Sequence, residues 1–347
     1  MRPSRHSIVT GLAAMVAITT LSVGSAAALK PGLDTTGEHG KGGSFAFAVI
    51  GDVPYGDPQV TDFPKIVKRI NADPAVQLVN HLGDIKSGSS RCDDSYFLRI
   101  KKDFDTFVDP LVYTVGDNEW TDCHRAAAGG YDPIERLALL RRTFFNERLT
   151  RGRFNPDPPQ IAITSQRDAR DSACRECVEN RWWWRDGVLF VALHVVGSNN
   201  NLGRTPAMTA EHRDRMRAVA SWFDQALDEA QSRSARAMVV MVHGNPWLER
   251  TQPGRQVRGT DGFAAFRRQI ARVAQQFARP MLFIHGDTHQ FKVDRPLYDP
   301  DSGVRISNVV RAEVWGSPFI NWLRVTVQPD QAEPFSIVPS IMQPLTE

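Results

Sequence analysis

The residues whose types and spacing could do chemistry stand at the ends of apolar runs: Asp52, Asp84, Asn118, His243, Asp287 and His289. Phe45 to Asp52, Gln77 to Asp84, Leu111 to Asp117 with Asn118 behind it, Ala237 to His243 and Met281 to His289 each finish on a possible metal ligand. Carboxylate and amide oxygens mixed with imidazole suit Mn, Fe or Zn better than a thiolate site would. Three carboxylates would partly neutralise two dications, and Asp84, in the middle of the set, would bridge them. Two ions roughly 4 Å apart can hold a hydroxide and clamp a phosphoryl oxygen through an in-line displacement. Taken singly, each residue has a plainer account, since a strand-end Asp caps the next helix and a lone His is a hydrogen-bonded structural residue. Their order and their glycine neighbours make the joint case.

Such endings converge only if the runs are neighbouring strands with a common polarity, because ligands of open α/β sheets gather beyond the carboxyl ends of the strands. The pattern supplies that polarity: strand 45–52, helix 62–73, strand 77–84, helix 96–108, strand 111–117, helix 133–149. Alternation of this kind gives parallel strands joined by crossover helices. Residues 150–180 read as a long surface loop, strand 187–196 resumes the sheet, and a long amphipathic helix spans 209–232 with Thr209 as its cap. Strand 237–243, helix 262–278 and strand 281–286 complete the alternating part. Short β-like runs follow at 291–298, 304–315, 320–328 and 334–340, so the sheet ends in antiparallel strands.

The N-terminus differs from the rest. Arg2, Arg5 and His6 precede an uncharged stretch from Ile8 to Ala28 that closes on small residues, the pattern of a signal peptide over residues 1–28. Its wealth of Gly, Ser, Thr and Ala argues against a retained anchor, and no stable membrane association is expected after cleavage. Residues 29–43 read as a flexible lead-in and residues 44–347 as one domain. Losing two arginines and no acids takes the formal charge from +3 to about +1, which gives no reason to expect nucleic-acid binding. In a secreted or periplasmic protein the four cysteines are disulfides by default. Bridging Cys92 to Cys123 would tie together the loops after Asp84 and Asn118. Cys174 and Cys177 would form a separate local staple, since their polar setting is not the strand-to-helix turn of a redox motif, and a four-cysteine zinc site is poorly spaced.

Gly51-Asp52, Gly83-Asp84, Gly116-Asp117-Asn118-Glu119, Val242-His243 and Gly286-Asp287-Thr288-His289 together resemble the five ordered blocks of the calcineurin-like metallophosphoesterases. The resemblance implies a four-layer α/β/β/α sandwich of the metallo-dependent phosphatase type and a dinuclear centre. By that analogy Asp52, Asp84 and His289 hold one metal, and Asp84, Asn118, His243 and Asp287 hold the other. Three departures matter. Pro54 replaces a ligating histidine, with Tyr55 next to it as a substitute ligand like the tyrosine of the related purple acid phosphatases. Glu119 stands where the family has the histidine that assists the leaving group. Asp287 replaces the first histidine of the Gly-His-x-His block.

Glu119 is then the expected proton donor by position and His124 the competing one, unless neither donates and Glu119 only orients Asn118 or a metal-bound water. Lys86 is either a phosphate contact or a solvated loop lysine, Asn199 to Asn201 a turn or a binding loop, and Trp182 to Trp184 a packed strand edge or a substrate wall. His81 and His285 are expected to point into the core. The reading is an exported metal-dependent phosphoesterase that hydrolyses a small phosphomonoester or phosphodiester with a metal-bound hydroxide. Its rival is a decayed metal-binding or surface-interaction domain of the same fold.

Overall fold

Strand β1 (Phe45–Ile50) shows in six residues how the molecule is layered. Successive side chains of a strand point to opposite faces. Phe45, Phe47 and Val49 accordingly face a core shared with a second sheet, while Ala48 and Ile50 face helices. The computed structural model describes residues 43–145, 161–169, 174–247 and 261–341, which all belong to the unit Pro31–Glu347. The expected signal peptide and, apart from Gly43, the lead-in lie outside the described residues.

The first sheet contains β1, β2 (Val76–His81), β3 (Leu111–Tyr113), β11 (Trp322–Val327) and β12 (Phe335–Ser340), in the order β12-β11-β1-β2-β3. The second contains β4 (Thr164–Ser165), β5 (Arg181–Arg185), β6 (Val188–Ala192), β7 (Ala237–Met241), β8 (Met281–His285), β9 (Lys292–Asp294) and β10 (Val309–Glu313), in the order β4-β5-β6-β7-β8-β10-β9. The strands that end on candidate ligands run parallel to their neighbours, β1 with β2, β2 with β3, and β7 with β8, whereas β11 and β12 add antiparallel pairing. Helices α1 (Gly56–Asn71), α2 (Asp94–Phe104) and α3 (Pro133–Phe144) bury Phe63, Ile66, Phe104 and Leu140 against the first sheet. Helices α4 (Pro206–Ser232) and α5 (Ala264–Phe277) bury Trp222, Phe223, Phe266 and Ile270 against the second. Phe47, Phe190, Val239, Leu282 and Leu323 fill the space between the sheets. This is the expected α/β/β/α sandwich, with both sheets covered on both faces.

Several local expectations shift. Helix α1 begins at Gly56, not at residue 62, because Pro58 sits in the first turn, where its missing N–H leaves nothing unpaired. Helix α4 is capped by Thr205, whose hydroxyl accepts from the Met208 N–H at 3.1 Å, and Pro206 opens it; Thr209 lies inside the helix. The 150–180 stretch contains the short strand β4, and Trp182 to Trp184 form β5. Trp182 stacks on Trp222 at 3.8 Å between ring centres and Trp183 lies on Phe190, so the tryptophans are core and not a substrate wall. His81 and His285 are buried as expected.

Candidate metal centre

Four of the five strands that bear candidate ligands end on glycine followed by aspartate, Gly51-Asp52, Gly83-Asp84, Gly116-Asp117 and Gly286-Asp287, and the fifth, β7, ends on Val242-His243. The glycines make room for the aspartates of neighbouring strands. A Cβ on Gly116 would overlap the Asp84 carboxylate, one on Gly286 would overlap Asp52, and one on Gly197 would lie 2.5 Å from an oxygen of both Asp117 and Asp287. Asp52, Asp84, Asp287 and His289 have φ of 55°, 52°, 76° and 59°, a left-handed conformation that costs free energy for residues with a side chain. Four such residues around one point mark it as a place where geometry is held against local preference.

The two sheets are joined here. His243, after β7, uses Nδ1 to reach the Leu82 carbonyl at 2.8 Å, which leaves Nε2 facing Asp117 Oδ1 at 3.0 Å and Asp84 Oδ1 at 3.3 Å. The Asp287 N–H donates to both oxygens of Asp52 at 3.1 and 3.2 Å, and His289 Nε2 lies 3.4 Å from Asp52 Oδ1 with its Nδ1 on the Ser317 carbonyl at 2.7 Å. Tyr55 donates its phenol proton to Asp84 Oδ2 at 2.7 Å, and its ring stands 5.4 Å from that of His289. The structure therefore brings together Asp52, Tyr55, Asp84, Asn118, His243, Asp287 and His289. Ligand atoms of Asp52, Asp84 and His243 lie within 4.8 Å of one another, and so do those of Asp117, His243 and Asp287.

Asp117, expected only to end a strand, holds the position beside His243. Asn118 turns its Nδ2 toward Asp84 Oδ2 and toward Tyr55 Oη at 2.9 Å. The signal for Asp117 was present in the sequence, since it is the fourth Gly-Asp pair. Ser198 was also missed. It sits in the turn Gly197–Asn200 that follows β6, and its hydroxyl donates to Asp117 Oδ2 at 2.7 Å.

The expected proton donors stand elsewhere. Glu119 is fully buried, and its Oε1 accepts from the backbone N–H of Asp84 at 3.1 Å, the N–H of Gly116 at 2.7 Å and the Tyr113 hydroxyl at 2.6 Å. It braces the two strand ends from behind. His124 is exposed, with Nδ1 2.8 Å from the Thr121 carbonyl and 3.1 Å from Arg204 Nη1. Lys86 is neither a solvated lysine nor a substrate contact: it is 0% exposed and donates to the carbonyls of Ser87 and Asn118 at 2.7 and 2.8 Å. Asn199 and Asn200 bond to the backbone of Gly262, and Asn201 bonds to Glu211, so the three asparagines form a turn that ties loops together. Cys92 is joined to Cys123, and both sulfurs lie against the Asn118 carbonyl at 3.6 and 3.7 Å; Cys174 is joined to Cys177.

Electrostatics tests whether the donor set fits metal ions. Burial pushes the Asp84 carboxyl well above the usual carboxylate range, with His243 opposing the shift and Asp117, Glu119 and Asp52 adding to it. Burial, with Asp117 next, raises Asp287 to about 7. Burial disfavours a His243 cation, yet Asp84, Asp117 and Asp52 outweigh it and raise its pKa well above the ordinary value. Against its burial, Asp117 is held down to about 2 by His243 and Ser198 and keeps its charge, while Asp84 and Asp287 share too little positive charge and hold protons in its place. Two dications would supply that charge and release the protons, so hard oxygen donors, two imidazoles and a cation deficit fit the group.

Ligands delivered by strand ends of two face-to-face sheets, flanked by helices, define a protein of the metallo-dependent phosphatase class. The sequence model of the calcineurin-like phosphoesterases matches residues 45–291, and the chain belongs to that family. A comparison with curated proteins returns no match. Among solved structures the chain is similar to PhoD, with 13% identity and a TM-score of 0.50 over 89% of this chain and 70% of that one. It is also similar to GAP50, the anchor in the inner membrane complex of Plasmodium (12%, TM-score 0.42, 87% and 90%), and to purple acid phosphatase PPD1 from yellow lupin seeds (10%, TM-score 0.44, 87% and 54%). At these identities the likeness is one of fold.

Proposed function

We propose that the protein is an exported, metal-dependent phosphoesterase that hydrolyses a small phosphomonoester or phosphodiester at a dinuclear centre. Asp52, Asp84 and His289, with Tyr55 beside them, would hold one ion; Asp84, Asp117, His243 and Asp287 would hold the other. When bound, such ions supply Lewis-acid stabilisation of phosphoryl oxygens and a nucleophile at neutral pH. Among the protein's own groups, Tyr55 keeps its proton until an ion enters, since burial and Asp84 push the phenol well above its usual value, and through that proton it orients Asp84. Asn118 offers an uncharged N–H beside Asp84, able to orient a phosphoryl oxygen and unable to protonate a leaving group. Export is supported by the two disulfides, and no helix among the described residues is long and apolar enough to cross a membrane.

The observation that carries the reading is the convergence of Asp52, Asp84, Asp117, Asp287 and His243, all buried or nearly so, with ligand atoms of Asp52, Asp84 and His243, and those of Asp117, His243 and Asp287, within 4.8 Å of one another. Hydrolysis of p-nitrophenyl phosphate and its bis ester with added Mn tests it: activity should appear with the metal and vanish on chelation. Glu119, turned onto the N–H groups of Asp84 and Gly116, and His124, held on the Thr121 carbonyl, favour a second reading, a metal-binding domain without catalysis. Metal binding with no hydrolysis of either ester would select it.

A further inference from the structure

Beside the centre lies a charged arrangement with no part in holding metal. Asp122, 2% exposed, pairs with Arg125 at 2.6 Å and with Arg204 at 2.8 Å, and both its oxygens lie 3.2 Å from Ser198 Oγ. Ser198 in turn donates to Asp117, so one buried carboxylate hangs two guanidiniums from a ligand of the candidate centre. The arginine heads are not sealed in. The Arg125 side chain is 45% exposed and that of Arg204 24%, with the exposed ring of His124 against Arg204. Arg125 reaches the mouth of the site: its Nη1 and Asn118 Oδ1 both lie within 3 Å of the point where Gly88 would carry a Cβ, and alanine there would displace the guanidinium. Two cations on one anion leave the rim positive next to a strongly acidic cluster.

We propose that Arg125 and Arg204 form a rim that recognises a second anionic group on the substrate, in addition to the phosphoryl group at the metals. The preferred substrates are then phosphate esters whose leaving group carries a carboxylate or another phosphate. The guanidinium fork matches both chemistries, and Asp122 holds the forks in place so that little side-chain entropy is lost on binding. This assignment rests on the phosphoesterase reading for the position of the first phosphoryl group.

The test compares three aryl esters with the Mn-loaded protein: phenyl phosphate, 3-carboxyphenyl phosphate and 1,3-phenylene bisphosphate. One charge-assisted hydrogen bond to the second anion is worth about tenfold, so wild type should favour at least one of the anionic esters over phenyl phosphate by about that factor in kcat/KM, with the difference in KM. Arg125→Ala and Arg204→Ala should bring the ratio close to one, and Arg125→Lys should retain part of it. Which ester responds separates carboxylate from phosphate recognition. Calorimetric binding of the same compounds gives a readout without turnover. Discrimination in binding with no hydrolysis would leave the rim standing and remove the phosphoesterase reading. Hydrolysis without discrimination, or equal losses on all three esters in both variants, would overturn the rim.

Discussion

Asp117 and His243, 126 residues apart in the chain, meet with 3.0 Å between a carboxylate oxygen and the imidazole Nε2. One follows β3 in the first sheet and the other β7 in the second, so the contact closes the seam between the sheets at the candidate centre. It also separates Asp117 from its neighbour Asn118. Asp117→Ala should empty one of the two metal positions and reduce hydrolysis by more than the 10- to 100-fold typical of residues outside the ligand shell. Asn118→Ala should keep its metal. Metal analysis of both variants decides it, and the opposite pattern would return Asn118 to the ligand set.

Tyr55 donates to Asp84 at 2.7 Å, close enough to ligate once an ion displaces the phenol proton. Iron-loaded protein should show a visible phenolate-to-metal charge-transfer band that Tyr55→Phe abolishes. A colourless, active ferric protein would make Tyr55 an orienting residue only.

The metal-free protein should lose stability as pH rises from about 6.5 to 8. Asp287 and Glu313, both raised to about 7 chiefly by burial, bind a proton in the folded state that the unfolded chain has already released. A raised folded pKa gives stability that is full at low pH and fades through the folded value, and the raised His243 acts in the same direction. His81, lowered to about 4, and His285, lowered to about 3, both by burial, act oppositely, but only below about pH 6.5, where the unfolded imidazole takes its proton. Metal binding needs deprotonated ligands, so the gain in Tm on adding Mn should grow across the same window. A gain that shrinks with pH would contradict the assignment of Asp287 as a ligand.

Much of this was legible in the sequence because the physics was local. A strand such as Phe45–Ile50 displays its two faces in its own residues, and the alternation of apolar runs with amphipathic stretches gave the layers and the strand ends. Trp182 to Trp184 left a packed strand edge and a substrate wall both open because three consecutive tryptophans have no alternation of type; in the fold, β5 buries Trp183 between two half-buried neighbours. Glu119 looked available because position in a motif says nothing of direction, and only the fold shows its carboxylate turned onto the N–H groups of Asp84 and Gly116. The Asp122, Arg125, Arg204 and Ser198 arrangement could not be read at all, since it depends on a left-handed turn at Ser198 and Asn199 bringing residues some 80 positions apart into contact.

Glu119→Gln should therefore reduce alkyl and aryl ester hydrolysis by similar factors, because it loosens the strand ends and supplies no proton. His124→Ala should leave the alkyl-to-aryl ratio of kcat where it was. Wild type itself should strongly favour p-nitrophenyl over alkyl esters, since nitrophenolate departs without a proton. A selective loss on the alkyl ester in either variant would identify that residue as the donor.

Joining Cys92 to Cys123 pins the loops that carry Asp84 and Asn118. The Cys92→Ser, Cys123→Ser double variant should be less stable by roughly 2 to 4 kcal/mol in denaturant titration. Unchanged stability, or free thiols at both positions in the exported protein, would contradict the pairing.

The central claim is that the strand-end carboxylates form a two-metal centre shared through Asp84, and elemental analysis of Mn-loaded wild type and Asp84→Ala tests it most directly. Wild type should carry about two ions per chain and the variant well under one, because Asp84 faces Tyr55 on one side and His243 on the other. A full metal complement in the variant, or a wild type that binds none, would contradict it.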